Sequence, residues 1–483
     1  MVAYAMGITE LDPLKHGLIF ERFLNPERVS LPDIDVDFDP EGRMRVLGYV
    51  ADKYGHDKVA QCVIYSTIKT KQALKDSARI MGFPLRWALV SPRRCRRPPP
   101  EARTSACTTS STRAPSATAE AREYRELYDS DPEVKRITEE AKGIEGLIRQ
   151  TGVHACATIM GSAPITDTSP LLERTDGTVT TTFEYHTCET LGLVKMDFLG
   201  LSNLTVIRDT LTNIEHNGKG VIDYTKIPLD DRETYQLLSR GDTLGVFQLD
   251  SDGMRSLLKT LKPDNFNDIS ALIALYRPGP MSMDSHTNYA KRKNGLQKIT
   301  PIHPELDEPL KQVLDETYGL IIYQEQVQSA ARILAGYSLG KADVLRRAMG
   351  KRSPRCWPRR RCRFRWHEGA WLFRGGRRGD LGDPGPVLRL CVQQGALRRV
   401  RLISFWTAYL KTHYPVEFMA ALLQARRPTR TRPPCIWARL GEWASKCSPR
   451  TVNESVYEYS AVGDVVRFGL GAIRNVGEKR GQG

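Results

Sequence analysis

Asp33, Asp35 and Asp37 alternate with Ile34, Val36 and Phe38 in the stretch 31–38. In an extended chain successive side chains point to opposite faces, so the three carboxylates share one face and the apolar side chains the other. Aspartate is a poor strand former, and like charges on one face repel, so local preference does not select this arrangement. A bound divalent cation reverses the sign of that repulsion, because a hard ion such as Mg²⁺ takes carboxylate oxygens. The alternative is an inert, solvated acidic face that protects the edge of a sheet.

A second acid points the same way. Asp197 is the one carboxylate in the otherwise apolar, glycine-bounded run 191–201, the composition of a buried strand. A buried carboxylate must be paired, protonated or metal-bound. Lys195 lies two residues away, on the same face if the run is extended, so a simple ion pair is one reading. The functional reading closes a three-carboxylate site from Asp35, Asp37 and Asp197, able to hold two ions about 3.5–4 Å apart for in-line phosphoryl transfer.

The elements that must position these acids are legible around them. Asp39 and Pro40 predict a helix start, and Met44, Leu47, Val50, Ala51 and Tyr54 predict its inward face, with Gly55 as the stop. A strand is expected over 59–65. A helix follows over 68–81, carrying Lys69, Lys71, Lys75 and Arg79, which read by themselves as a solvated face. Beyond Leu201 the pattern becomes mainly helical. Ser251 caps a helix with Met254, Leu257, Leu258 and Leu261 inward, and another spans 266–276 before the Arg277-Pro278-Gly279-Pro280 stop. Ser338 opens a further helix with Leu339, Ala342, Leu345 and Met349 inward. Arg346, Arg347 and Lys351 are then left on its other side, a cluster that suits a triphosphate or is a solvated surface without function.

Several blocks taken in order resemble the bacterial, C-family DNA polymerase III alpha subunit. They are Phe20-Glu21-Arg22-Phe23-Leu24-Asn25-Pro26-Glu27-Arg28 with the aspartate strand, Val194-Lys195-Met196-Asp197-Phe198-Leu199-Gly200-Leu201, Gly245-Val246-Phe247-Gln248-Leu249, Tyr276-Arg277-Pro278-Gly279-Pro280-Met281, Ile322-Tyr323-Gln324-Glu325-Gln326-Val327 and Leu345-Arg346-Arg347-Ala348-Met349-Gly350-Lys351. The resemblance implies an α+β fold: a nucleotidyltransferase-type palm, with a mixed sheet and helices, plus mainly helical thumb and fingers. The expected divisions are palm at 1–66 and 146–201, thumb at 67–145, fingers at 202–463, and the opening of a helix-hairpin-helix module at 464–483. It implies Asp35, Asp37 and Asp197 as catalytic ligands of two Mg²⁺ ions, with Asp33 ranked below them. Arg346, Arg347 and Lys351 are the expected nucleotide contacts, and Lys69, Lys71, Lys75, Arg79, Lys195 and Arg277 the expected DNA contacts. The implied partners are primer-template DNA, dNTPs, the sliding clamp and other replicase subunits. The family's glycine-serine loop, N-terminal phosphoesterase-like domain and clamp-binding region are not found in this sequence, so a weakly active or inactive polypeptide is expected.

Composition adds a warning. The formal net charge of the 483 residues is +15, which suggests a nucleic-acid binder. That charge is confined to three stretches rich in Arg, Pro, Ala, Ser and Cys: 86–120 at +5, 352–400 at +10 and 425–450 at +6, leaving −6 for the remainder. Trp87, Trp357, Trp366, Trp371, Trp437 and Trp443 fall inside them, and only Trp406 lies outside. So do Cys95, Cys107, Cys356, Cys362, Cys391, Cys435 and Cys447, at spacings that match no zinc pattern. We read these stretches as out-of-frame translation of a GC-rich gene, because family-like sequence resumes at Leu402 and again at Val452. The competing reading is basic, DNA-binding insertions. On either reading they are not expected to pack as a core.

Two other function classes share these residues. A two-metal phosphohydrolase needs a water-positioning base, for which His154 and His186 are candidates. A non-catalytic remnant would bind DNA through the Arg-rich stretches. No run of about 18 apolar residues and no signal sequence is present, so a soluble, cytoplasmic protein is expected.

Overall fold

The computed structural model describes residues 34–83, 122–277, 284–301, 306–344, 394–425 and 455–473, with short stretches such as Val2–Ala5 and Cys447–Ser448. Packing divides the chain into two compact units, Asp33–Gly200, and Leu201–Gly483 with Met1–Pro32. The architecture is mixed α and β, as expected.

In the first unit the acidic run forms β1 (Ile34–Phe38) and leads directly into α1 (Pro40–Tyr54). The Asp39 side chain accepts from Gly42 N–H at the helix start, and Gly55 ends the helix at φ 108°, the two cap roles read from the sequence. The expected inward face needs correction. Met44 and Tyr54 are 60% and 53% exposed, and the covered strip runs instead through Gly42, Arg43, Val46, Leu47 and Val50. The helix is covered along a narrow stripe only.

β2 (Val59–Thr67), β3 (Ile148–Met160), β4 (Leu171–Glu173), β5 (Val179–Thr181) and β6 (Val194–Gly200) complete a six-stranded mixed sheet in the order β1-β6-β3-β2-β5-β4. Ala60, Cys62, Ala157, Ile159, Ile165, Cys188 and Leu193 form its core. Between β2 and β3 the chain builds α2 (Thr70–Ile80), α3 (Arg122–Ser130) and α4 (Pro132–Ile144). These have a core of their own, in which Ala73, Leu74 and Ala78 meet Tyr124, Val134, Ile137 and Ala141. The helix expected over 68–81 starts at Thr70, because Ile68 is still tied to the returning strand through backbone bonds with Gly146 and Leu147.

The second unit is mainly helical: α6 (Ser202–His216), α7 (Arg232–Arg240), α8 (Asp252–Leu261), α9 (Phe266–Leu275), α10 (Ser285–Lys293), α11 (Asp307–Leu314), α12 (Gln324–Ala335), α13 (Gln394–His413) and α14 (Pro415–Ala425), following the single-turn α5 (Tyr185–Thr190) of the first unit. Ser251 caps α8 by accepting from Met254 N–H, and Met254, Leu257, Leu258 and Leu261 are buried, as read from the sequence. A second small sheet, β7 (Cys447–Ser448), β9 (Val465–Arg467) and β8 (Ser460–Val462), adds Ala461 and Val466 to a core built by α6 and α14. The boundary expected at 464 therefore falls in the turn between β8 and β9.

Two Arg-rich stretches also need correction at their ends. Residues 394–400 form the first turns of α13, and Val400 packs against the core around Phe405. Arg401 follows, 5% exposed, with its guanidinium 4.0 Å from the Phe266 ring centre and Nη1 donating to Ser270 and Asn267. An arginine at this point keeps its charge under cover because a ring and two oxygens receive it. Cys447 and Ser448 pair in parallel with β9.

Candidate metal centre

Among the described residues β1 is an edge strand whose neighbour is β6, paired in parallel, so Asp35 stands opposite Asp197 and Asp37 opposite Leu199. Paired residues of adjacent strands lie about 4.8 Å apart and share a face, which sets two carboxylates side by side. Asp35 and Asp37 are exposed, whereas Asp197 is only 9% exposed. The ion pair weighed from the sequence is present: Lys195 Nζ lies 2.8 Å from Asp197 Oδ2. The ammonium also sits 5.0 Å from the centre of the Tyr185 ring, so it is held from two sides. Lys195, expected as a DNA contact, is thus engaged within its own strand. The second oxygen, Asp197 Oδ1, is buried with no hydrogen-bond partner.

The other neighbour of β6 is β3, and here the sheet is irregular. Gln61 pairs with Thr158 and Val63 with Val153, so residues 154–157 of β3 bulge opposite Cys62 alone. Bulges re-aim side chains, and this one turns His154 and Cys156 toward Asp197. His154 Nδ1 accepts from Ala157 N–H at 3.0 Å and from Cys156 N–H at 3.4 Å, supplying partners that the broken ladder does not. Arg43 of α1 clamps the same region, donating from Nε to Phe198 O at 2.6 Å and from Nη2 to Ala155 O at 3.0 Å. Burial pushes the Cys156 thiol up, and the negative charge of Asp197 beside it adds to the push.

Among the described residues, His154, Cys156 and Asp197 form a trio whose ligand atoms all lie within 4.8 Å of one another. Asp35, Asp37 and Asp197 do not meet that single-ion spacing. Their donor chemistry nevertheless fits Mg²⁺: hard oxygens on adjoining strands, like charges at paired positions, and one buried carboxylate oxygen still without a donor. His186 is exposed, its ring 3.8 Å from that of Tyr185. To act as a water-activating base His154 would have to give up the two backbone N–H groups that its Nδ1 accepts.

The remaining expected site residues are spread more widely. On α2, Lys71 and Arg79 are exposed, Lys75 is half-buried, and Lys69 stands at the start of the helix; Arg79 Nη2 lies 3.4 Å from Asp76. Arg277 is exposed just after α9 of the second unit. Asp33, Arg346, Arg347 and Lys351 lie outside the described residues. Arg43 and Cys156 were not singled out from the sequence. An arginine in the first turns of a helix reads as solvated, and a four-residue bulge leaves no trace in a strand's alternation.

Two family models match the chain: the bacterial DNA polymerase III alpha NTPase domain over residues 1–200 and the bacterial DNA polymerase III alpha subunit finger domain over residues 203–366. The chain belongs to the bacterial DNA polymerase III alpha subunit family. Similar curated proteins, each named DNA polymerase III subunit alpha, come from Mycobacterium tuberculosis strain CDC 1551 and Saccharopolyspora erythraea, both 47% identical, and from Thermus aquaticus, 41% identical. In each case the alignment spans 99% of this chain, but only 40%, 40% and 38% of the respective relative.

Proposed function

We propose that the chain provides the palm, thumb and fingers elements of a DNA-directed DNA polymerase, extending a primer 3′-hydroxyl with dNTPs on a DNA template during chromosomal replication. The observation that carries this reading is the parallel register that sets Asp35 beside Asp197, with Asp37 on the same face of β1. These three carboxylates would hold two Mg²⁺ ions, which when bound supply acidification of the primer hydroxyl and neutralisation of the leaving pyrophosphate. The protein's part is positioning. Arg43 fixes β6 and the β3 bulge through the carbonyls of Phe198 and Ala155, and so fixes where the Asp197 carboxylate sits. Lys195 neutralises and orients Asp197 through Oδ2 and leaves Oδ1 available. Lys71 and Lys75, one helical turn apart, offer contacts to duplex phosphates without reading sequence. Arg346, Arg347 and Lys351 would hold the triphosphate through charge-assisted bonds. The sliding clamp and other replicase subunits are the proposed protein partners.

Primer extension with labelled primer-template and dNTPs tests the reading. Extension that requires Mg²⁺ and is lost in Asp35→Asn and Asp197→Asn supports it. Primer shortening without extension would replace it with the phosphohydrolase, and DNA binding indifferent to both substitutions, with no synthesis, would replace it with the non-catalytic remnant.

A further inference from the structure

The β3 bulge does more than seat the strand: it brings an imidazole, a thiol and a carboxylate to one point. We propose that His154, Cys156 and Asp197 form a second cation site, selective for a thiophilic divalent ion of the zinc class. The three ligand atoms lie within 4.8 Å of one another, with His154 Nδ1 and Cys156 Sγ 3.5 Å apart. Zinc bonds of about 2.0–2.3 Å place neighbouring ligands of a tetrahedron at somewhat under 4 Å, so only small side-chain movements are needed. Asp197 has an oxygen ready for the ion, since Lys195 takes Oδ2 and Oδ1 is buried without a hydrogen-bond partner. His154 would exchange its backbone donors for the metal at Nδ1, and Arg43 would still hold the bulge through Ala155 O.

Nitrogen, sulfur and oxygen in one set discriminate by softness: thiolate and imidazole favour zinc-class ions, and Mg²⁺ prefers oxygen alone. Three protein ligands leave a fourth position open. On the proposed reading of Asp197 as a Mg²⁺ ligand, the two sites share one carboxylate, so zinc-class ions are antagonists of DNA synthesis.

The test uses Co²⁺ as a spectroscopic substitute for Zn²⁺ on the full chain. Wild type should show a thiolate-to-cobalt charge-transfer band that Zn²⁺ removes at equimolar amounts and that Mg²⁺ weakens only in large excess, as a shared carboxylate requires. The band should be lost in Cys156→Ser, with folding checked by circular dichroism; should that variant not fold, Cys156→Ala takes its place. A band of unchanged intensity in the folded variant overturns the proposal and assigns the signal to other cysteines. Asp35→Asn separates the two readings: it should keep the cobalt band whatever its effect on primer extension. Loss of the band in Asp35→Asn would overturn a site built on His154, Cys156 and Asp197.

Discussion

Lys195 and Asp197 are each largely covered, 19% and 12% exposed at the side chain, so the pair is neither a surface ion pair nor a sealed one. Removing the ammonium leaves a covered carboxylate facing its like-charged neighbour Asp35. Lys195→Met is expected to destabilise the first unit by about 1–3 kcal/mol, and added Mg²⁺ should recover part of that loss; urea denaturation with and without the ion measures both. On the proposed chemistry, Asp35→Asn and Asp197→Asn should each lower extension by roughly 10²–10⁴-fold, the equivalent of several kcal/mol of charge stabilisation. Single-turnover primer extension reads this directly. Asp231 of the second unit supplies a pH prediction. Burial alone would raise its carboxyl, but bonds from the Thr234 hydroxyl, His413 and Thr234 N–H outweigh that and hold it below the usual range. A carboxyl lowered from an unfolded value of about 3.9 contributes stability that is complete above that value and is lost as pH falls through the lower, folded value. The acid limb of a thermal-melting profile should therefore flatten in Asp231→Asn.

At the scale of elements, close approaches are sharper constraints than helix propensity. Gly245 has φ 80°, and a Cβ there would overlap the Leu422 side chain of α14. Gly245→Ala is expected to cost about 1–3 kcal/mol from left-handed backbone and overpacking together, seen as a lower denaturation midpoint. The cap and inward face of α8 and the end of α9 were legible because Ser251, the apolar spacing and the Arg277-Pro278 stop are local signals. The alternation of Asp35 and Asp37 likewise gave β1. The bulge was not legible, since its cause lies in which strands are neighbours: β3 must pair with β2 on one side and β6 on the other, and the extra residues are absorbed at His154–Ala157. Arg43 became visible for the same reason only once α1 was seen against β6. The parallel pairing of β1 with β6, about 160 residues apart in the chain, left no local mark either, although the pattern of acids nominated both strands.

Across the molecule, two units with separate cores account for what the residue pattern could and could not foresee. Helix α8 carries the apolar spacing expected of it and α1 only part of it, whereas the basic charge sits in 86–120, 352–400 and 425–450. If out-of-frame translation produced these stretches, the nucleotide sequence near codons 85, 352 and 425 will show single-base insertions or deletions. If they are functional insertions, deleting 86–120 should weaken DNA binding and flatten its dependence on salt, since each phosphate that is no longer neutralised takes about 0.9 off the slope of log affinity against log salt; titration at several ionic strengths distinguishes the two. The place of β1 in the sheet has a consequence beyond chemistry. Among the described residues it has a strand partner on one side only, and an uncovered ladder edge recruits other chains unless charge repels them. Charge on Asp35 and Asp37 would then oppose self-association in addition to the metal-holding role proposed for it. A doubly neutralised chain, Asp35→Asn with Asp37→Asn, should form higher-order species at concentrations where each single variant stays dispersed, a difference that light scattering would record.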